Sequence, residues 1–412
     1  MSDLATLFKR EAGPVIARLV RLLGSLPAAE DAFHDACVKA LEQWPVSGVP
    51  AQPGAWLATV ARNRGFDVSG SAHAALAEPL EAASNAPTRE AIDLDRLDSG
   101  VDDDQLRLLF TCCHPALSAQ TQVALTLRTL GGLSTTEIAR AFHEPEATTA
   151  QRLVRAKSKI RGAGIPYEVP SREALPARLY SVLTTIYLVF NEGYSAAEGE
   201  ALLRDNLCRE AIRLARWLHA TLPAEPEVTG LLALLLLQHS RAEARVDAKG
   251  DVVLLEDQDR DRWSAQAIAE GGALLDAALE LKQPGPYQLQ AAIAALHAAA
   301  PTAAQTDWRQ IALLYNSLWQ RVDTPTVGLN RAAAIGMAWG PNEGLDALSR
   351  LDASHFELSH WFDSARADLL RRAKRYAEAA VAYDQALTRV RNAPERRYLE
   401  KRLGEVRALL GL

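Results

Sequence analysis

Between Pro145 and Arg161 the chain reads P-E-A-T-T-A-Q-R-L-V-R-A-K-S-K-I-R. Thr148, Thr149, Gln151, Arg152, Arg155 and Lys159 bring hydroxyl, amide and cationic donors onto one short segment. These are the groups that hold phosphate oxygens and, at the start of a helix, read the edges of bases in a major groove. The chemistry they imply is recognition of duplex DNA; none of them needs to make or break a bond.

Donors of this kind must be held by a frame, and the residues around them supply one. Ser134 or Thr135 can cap a short helix, and Glu137 stands where a capping-box carboxylate returns to the first amide. Ile138, Ala139 and Phe142 give that helix an apolar face. A turn at His143-Glu144 follows, and Pro145 suits the first turn of a second helix because it has no amide hydrogen to leave unpaired. In the second helix Ala150, Leu153, Val154 and Ile160 are expected on the packing side. The pattern is a helix-turn-helix. Two ordinary amphipathic helices with solvated cations are the competing interpretation.

Other chemistries find little support. Cys37, Cys112, Cys113 and Cys208 show no C-x-x-C spacing and are too few for a disulfide scaffold. Cys112-Cys113-His114 is a poor metal half-site, because adjacent helical residues diverge by about 100°. No G-x-S-x-G, phosphate-cradling glycine loop or paired carboxylates stand out. Neither an enzyme nor a metal or cofactor is expected.

With 412 residues the chain has room for two or three domains, and its alanine-rich hydrophobic fraction of 48 % favours an all-α fold. The net charge of -6 argues against nonspecific coating of nucleic acid, so any DNA contact must be local or assisted by a partner. The first residues lack a signal peptide's basic start and apolar core, and no run of about 18 apolar residues occurs. A cytoplasmic protein is expected.

Residues 1–64 read as a small helical domain with helices near 15–23, 28–44 and 55–64. Residues 65–104 read as an acidic linker, and residues 105–165 as a second helical domain carrying the helix-turn-helix. Alanine- and leucine-rich helices fill 171–412. Among them R-Y-A-E-A-A-V-A-Y-D-Q-A-L, at 375–387, has tetratricopeptide-like spacing and points to an α-solenoid.

In order, these pieces resemble an extracytoplasmic-function sigma factor of the sigma-70 family, in the subgroup with a long tetratricopeptide-like C-terminal extension. The likeness rests on A-E-D-A-F-H-D-A-C-V-K-A-L-E-Q-W-P from Ala29, P-G-A-W-L-A-T-V-A-R-N-R from Pro53, L-R-L-L-F-T-C-C-H-P-A-L from Leu106 and the helix-turn-helix. Y-L-V-F-N-E-G-Y from Tyr187 and L-L-E-D-Q-D-R-D-R-W from Leu254 extend it into the last half. The resemblance implies two partners, core RNA polymerase and promoter DNA. Asp31, His34, Asp35, Val38 and Lys39 would dock on the polymerase; Trp56, Arg62, Asn63 and Arg64 would meet the minus-ten element. Thr148 to Lys159 would meet the minus-35 element.

One departure stands out. Relatives continue Arg62-Asn63-Arg64 with further arginines, whereas this chain reads G-F-D-V-S-G-S. Losing those phosphate contacts should weaken DNA affinity and flatten its salt dependence. In the extension, Asn191, Glu192, Tyr194, Asp257, Asp259, Arg260, Arg262 and Trp263 are the regulatory or interdomain candidates. Against that role stand a helix-end motif for Asn191, Glu192 and Tyr194 and a surface ion-pair loop fixing two helix pairs for Asp257, Asp259, Arg260, Asp261 and Arg262. The extension could also hold a further protein or peptide. A polymerase-independent regulator and an interaction scaffold are the alternative functions.

Overall fold

The computed structural model describes residues 2–69, 101–142, 144–171, 173–195, 202–357 and 359–411. Among them helices dominate, and the only β feature is one antiparallel bridge between Val246 and Val252. The chain divides into two compact units, 1–186 and 187–412. No described helix is long and apolar enough to cross a membrane.

The first unit begins with α1 (Ser2–Leu23), α2 (Leu26–Ser47) and α3 (Pro53–Ser69), which pack on one another. Ser25 caps α2 by accepting the Ala28 amide, with Pro27 in the first turn. Ala29, Ala32, Ala36, Ala40 and Trp44 recur at three-and-four spacing and form its buried stripe. Trp44 closes this small core between Phe8 and Trp56, with ring centroids 5.7 and 5.2 Å away.

Next come α4 (Val101–Cys112), α5 (Ala119–Thr129), α6 (Thr135–Ala141) and α7 (Glu146–Gly162). Most of the expected linker, 70–100, lies outside the described residues. Its two ends are helical: α3 continues to Ser69, and α4 begins at Val101. Asp104, placed with the linker by its acidic neighbourhood, is buried and accepts Arg21 Nε at 2.8 Å. A buried, paired carboxylate belongs to a core edge and not to a solvated run.

Helix α1 packs directly on α4 and also touches α5, so the two segments separated in sequence by the linker form one body. The turn after α5 makes this possible. Gly132 has φ +64°, and a Cβ there would lie 2.8 Å from Lys9 Cα, so only glycine allows the approach. The Tyr167 hydroxyl sits 2.6 Å from the Ala17 carbonyl and 2.9 Å from that of Asp104, tying α1 to α4.

Helix α8 (Leu175–Tyr194) starts within the first unit and ends in the second. Arg178 donates to the Phe110 carbonyl at 2.6 Å and Thr185 to Gln122 at 3.0 Å. The boundary expected near 171 therefore falls later, because the first half of α8 packs on α4 and α5.

In the second unit α9 (Asp205–Thr221) leads to α10 (Pro226–His239), whose residues Val228 to Leu237 are all buried. A helix apolar on every side belongs at the centre, and α11 (Ala265–Glu280) and α12 (Pro286–Ala299) pack on it. Then follow α13 (Trp308–Trp319), α14 (Pro325–Trp339), α15 (Pro341–Ser349), α16 (Trp361–Arg372), α17 (Tyr376–Arg389) and α18 (Ala393–Leu409), each packed on its neighbours in sequence. The 375–387 segment forms α17, with Ala379, Ala382, Tyr383 and Ala386 buried.

Candidate nucleic-acid interface

Helix α6 begins as its residues dictate. The Ser134 hydroxyl accepts the Glu137 amide at 3.1 Å, while Glu137 accepts the Ser134 amide at 2.9 Å, completing a capping box. Glu137 also accepts Lys9 Nζ from α1 at 2.5 Å. Burial pushes the Glu137 carboxyl up, but the Lys9 and Ser134 bonds outweigh it and hold it below its ordinary value.

Pro145 caps α7, and its carbonyl accepts the amides of Thr148 and Thr149 at 2.9 and 3.3 Å. Beside it Glu144 gathers three donors. Arg152 gives it two parallel bonds at 2.5 and 2.6 Å, and the Thr149 hydroxyl a third at 2.5 Å. A carboxylate here also suits the positive end of the α7 dipole.

That arrangement divides the expected DNA-facing residues. Thr148, Gln151, Arg155 and Lys159 are exposed and line a shallow groove of about 360 Å³ with Leu117, Ser118 and Thr121. Arg152 borders the groove, but its guanidinium is clamped to Glu144. Thr149 is fully buried, which is incompatible with the base contact expected of it. Its place on the packing side displaces Val154, which is 66 % exposed; Thr149, Leu153 and Ala156 are the buried set. The spacing of apolar residues misses this because a threonine, satisfied by Glu144, fills the inward position.

On α2 the expected partner-facing residues Asp31, His34, Asp35, Val38 and Lys39 are all exposed, and the neighbouring Leu41 and Val46 are exposed as well. The face is thus mixed, with acids and a lysine around apolar side chains, as in reversible protein interfaces. On α3 Trp56 is half-buried against Trp44, Arg62 is half-buried, and Asn63 and Arg64 are exposed. No ion pair among the described residues engages Arg62 or Arg64.

The two faces are not independent. Lys157, on α7 beside the exposed donors, is ion-paired with Glu30, which is buried on the inner side of α2. Together with Lys9–Glu137 it clasps the helix-turn-helix segment to the α1–α2 pair, while Arg21–Asp104 ties α1 to α4. None of these pairs is visible as a sequence motif, since each joins residues far apart in the chain.

In the second unit the candidates serve mainly structure. Glu192 pairs with Arg204, and the Tyr194 ring lies between Phe190, at a centroid distance of 5.4 Å, and the Arg245 guanidinium at 3.7 Å. Asn191 hydrogen-bonds Tyr187, and its carbonyl accepts the Ser195 amide, closing the end of α8. Asp259 caps a short 3₁₀ turn, Arg260 stacks on buried Trp263 at 4.5 Å, and Asp257 and Arg262 are exposed. The expected ion-pair loop is not formed among the described residues of this motif. The loop is tied instead by Glu256 to Arg372 at 3.0 Å and by Arg260 to the His297 carbonyl at 2.7 Å.

Among the described residues no group of His, Cys, Asp and Glu is arranged to hold a metal ion. Cys112 and Cys113 are buried, and burial pushes the Cys113 thiol up to about 11.

Residues 7–67 match Sigma-70 region 2, residues 107–160 match Sigma-70 region 4, and residues 178–279 match a family of unknown function (DUF6596). An uncharacterized protein of Rhizobium meliloti (strain 1021) is 48 % identical over 394 residues, spanning 95 % of this chain and 92 % of its own. No solved structure matches this chain significantly. The two sigma-70 regions on one chain indicate a sigma-70 family sigma factor. These regions support an RNA polymerase-binding sigma factor; proteins of that family are transcription initiation factors, and the domains imply core polymerase and promoter DNA as partners.

Proposed function

We propose that this protein is an extracytoplasmic-function sigma factor whose tetratricopeptide-like extension modulates it in cis. The observation that carries the first part is the pair of exposed faces in one unit. Asp31, His34, Asp35, Val38 and Lys39 offer a mixed surface for polymerase, and Thr148, Gln151, Arg155 and Lys159 offer donors for the minus-35 duplex. Arg62, Asn63 and Arg64, with Trp56 beside them, are the minus-ten group.

Arg152 and Thr149 act behind the surface, fixing the angle at which α7 meets DNA. Control in cis is supported by the continuity of α8, which leaves the first unit and enters the second without a break.

In vitro transcription with purified core polymerase tests both parts. The full chain should direct initiation from its own promoter only when core is present, and a chain ending after Ser195 should initiate to a different extent. DNA protection without core would favour a polymerase-independent regulator. Equal activity of the two chains would remove the role assigned to the extension.

A further inference from the structure

The second unit holds a cavity of about 580 Å³, within the range of sites that enclose small organic ligands. Its walls come from the 254–260 loop, the 303–306 turn and helices α13, α14, α16 and α18. Leu254, Trp308, Met337 and Tyr398 make most of the surface apolar. The loop is the one that carries E-D-Q-D-R-D-R-W, a motif that promoter recognition leaves without a task.

The charged groups in the wall are not equivalent. Arg372 bridges Glu256 at 3.0 Å and Asp368 at 2.7 Å, so both acids are already answered. Arg260 has no carboxylate partner among the described residues. One of its nitrogens donates to the His297 carbonyl, its plane lies on Trp263, and Nη2 is buried with no hydrogen-bond partner. A guanidinium in an apolar wall, with no carboxylate to answer its charge among the described residues, is complementary to a carboxylate, although Nη2 itself is sealed from the cavity and the approach is to the rest of the group.

We propose that this cavity binds an amphipathic carboxylate, its acid group on Arg260 and its apolar body against Trp308, Met337 and Leu254. Two sources offer that chemistry: a free organic acid and the C-terminal residue of a peptide. Burial, with Arg241 nearby, lowers the Arg260 pKa, and a bound anion would offset both effects. Asp257, Asp259 and Arg262 remain exposed and outside the wall, so the motif divides into a part that folds the loop and a part that faces the cavity. This inference stands apart from the transcriptional role, since a chain unable to initiate can still bind.

The test uses full-length protein and calorimetric titration, supported by tryptophan fluorescence, because Trp308 lines the cavity. The probes are octanoate, 3-phenylpropionate and an acetylated peptide ending in phenylalanine, each paired with its amide. At least one acid should bind below about 1 mM, and at least tenfold more tightly than its amide. Arg260→Gln should erase that difference, and Met337→Trp, which fills the cavity, should abolish binding. Octanoate or phenylpropionate binding alone assigns a free acid; peptide binding alone assigns a chain terminus. No binding of any acid, or equal binding of acids and amides by the unaltered chain, overturns the proposal. The acid-amide comparison requires no variant and therefore survives a folding defect in either one.

Discussion

Lys157 on α7 is ion-paired with Glu30, a buried carboxylate on α2. Removing one partner leaves a buried charge unanswered, so Lys157→Ala should destabilise the first unit by about 3 kcal/mol. The double change Glu30→Gln with Lys157→Gln should recover most of that loss. A double-mutant cycle by denaturant unfolding measures it, and strict additivity would mean the pair is not coupled.

The same pair bears on assembly. Elements centred at minus-ten and minus-35 lie about 85 Å apart along straight duplex at roughly 3.4 Å per base pair. On the proposed assignment of α3 to the minus-ten and α7 to the minus-35 element, domains in direct contact would not meet both at once, and the clasp should open on promoter DNA. The double variant should therefore form initiation-competent complexes several-fold faster than the parent, as followed by stopped-flow promoter melting. An unchanged rate would show that opening is not limiting.

Arg152 and Arg155 lie three residues apart yet should behave differently. Arg155→Ala should reduce the salt slope of promoter binding by about 0.9, the loss of one phosphate contact. Arg152→Ala should leave that slope nearly intact while loosening the turn, because its guanidinium is committed to Glu144. Conversely, Glu144→Gln should release Arg152 and steepen the slope. Holoenzyme binding measured across salt concentrations decides between these outcomes.

Gly132→Ala tests the packing of α1. The substitution meets both a positive φ and backbone atoms of Lys9, so a loss of about 2 kcal/mol is expected, with increased hydrogen exchange in α1. A thermal midpoint equal to the parent's would show that α1 does not rest on this turn.

The second unit should respond to pH through Glu395. Burial raises its carboxyl from near 4.5 to about 7 against the opposing pull of Arg245. Its neighbour His360, 3.4 Å away, is lowered by burial from 6.5 to about 4, so the two meet as neutral groups near pH 6. For Glu395 the folded state holds its proton more tightly than the unfolded state; the stabilisation is complete below about 4.5 and is lost as pH rises through about 7. His360 has the opposite sense, its penalty growing as pH falls from 6.5 towards 4. Between pH 5 and 8 the Glu395 contribution should fall by about 2–3 kcal/mol while the His360 penalty is relieved by about 2 kcal/mol, so the parent's net stability should change by less than about 1 kcal/mol, and Glu395→Gln should uncover a rise of about 2 kcal/mol with pH, read by denaturant unfolding across that range.

How far the sequence predicts these features depends on how local the determining contact is. The Ser134–Glu137 box spans three residues and is legible at once. So is the exposure of Asp31 to Lys39, because the alanines and Trp44 leave only one face of α2 to pack. Thr149 and Val154 exchange roles because a buried hydroxyl needs Glu144, whose carboxylate lies across a turn that hydropathy does not describe. Lys157, Lys9 and Arg21 look like solvated cations until the fold brings Glu30, Glu137 and Asp104 to them. Asp104 shows the converse, a core residue hidden in an acidic run.

The clamp on Arg152 has a consequence for behaviour among other DNA. Affinity for arbitrary duplex grows with the number of cations free to reach phosphates. Here one arginine of α7 is held by Glu144, one lysine by Glu30, and the basic continuation of α3 is missing. On the proposed role of α7, the chromosome should then be a weak competitor for this protein. Its abundance relative to core enzyme, more than titration onto bulk DNA, would set how much of it is engaged.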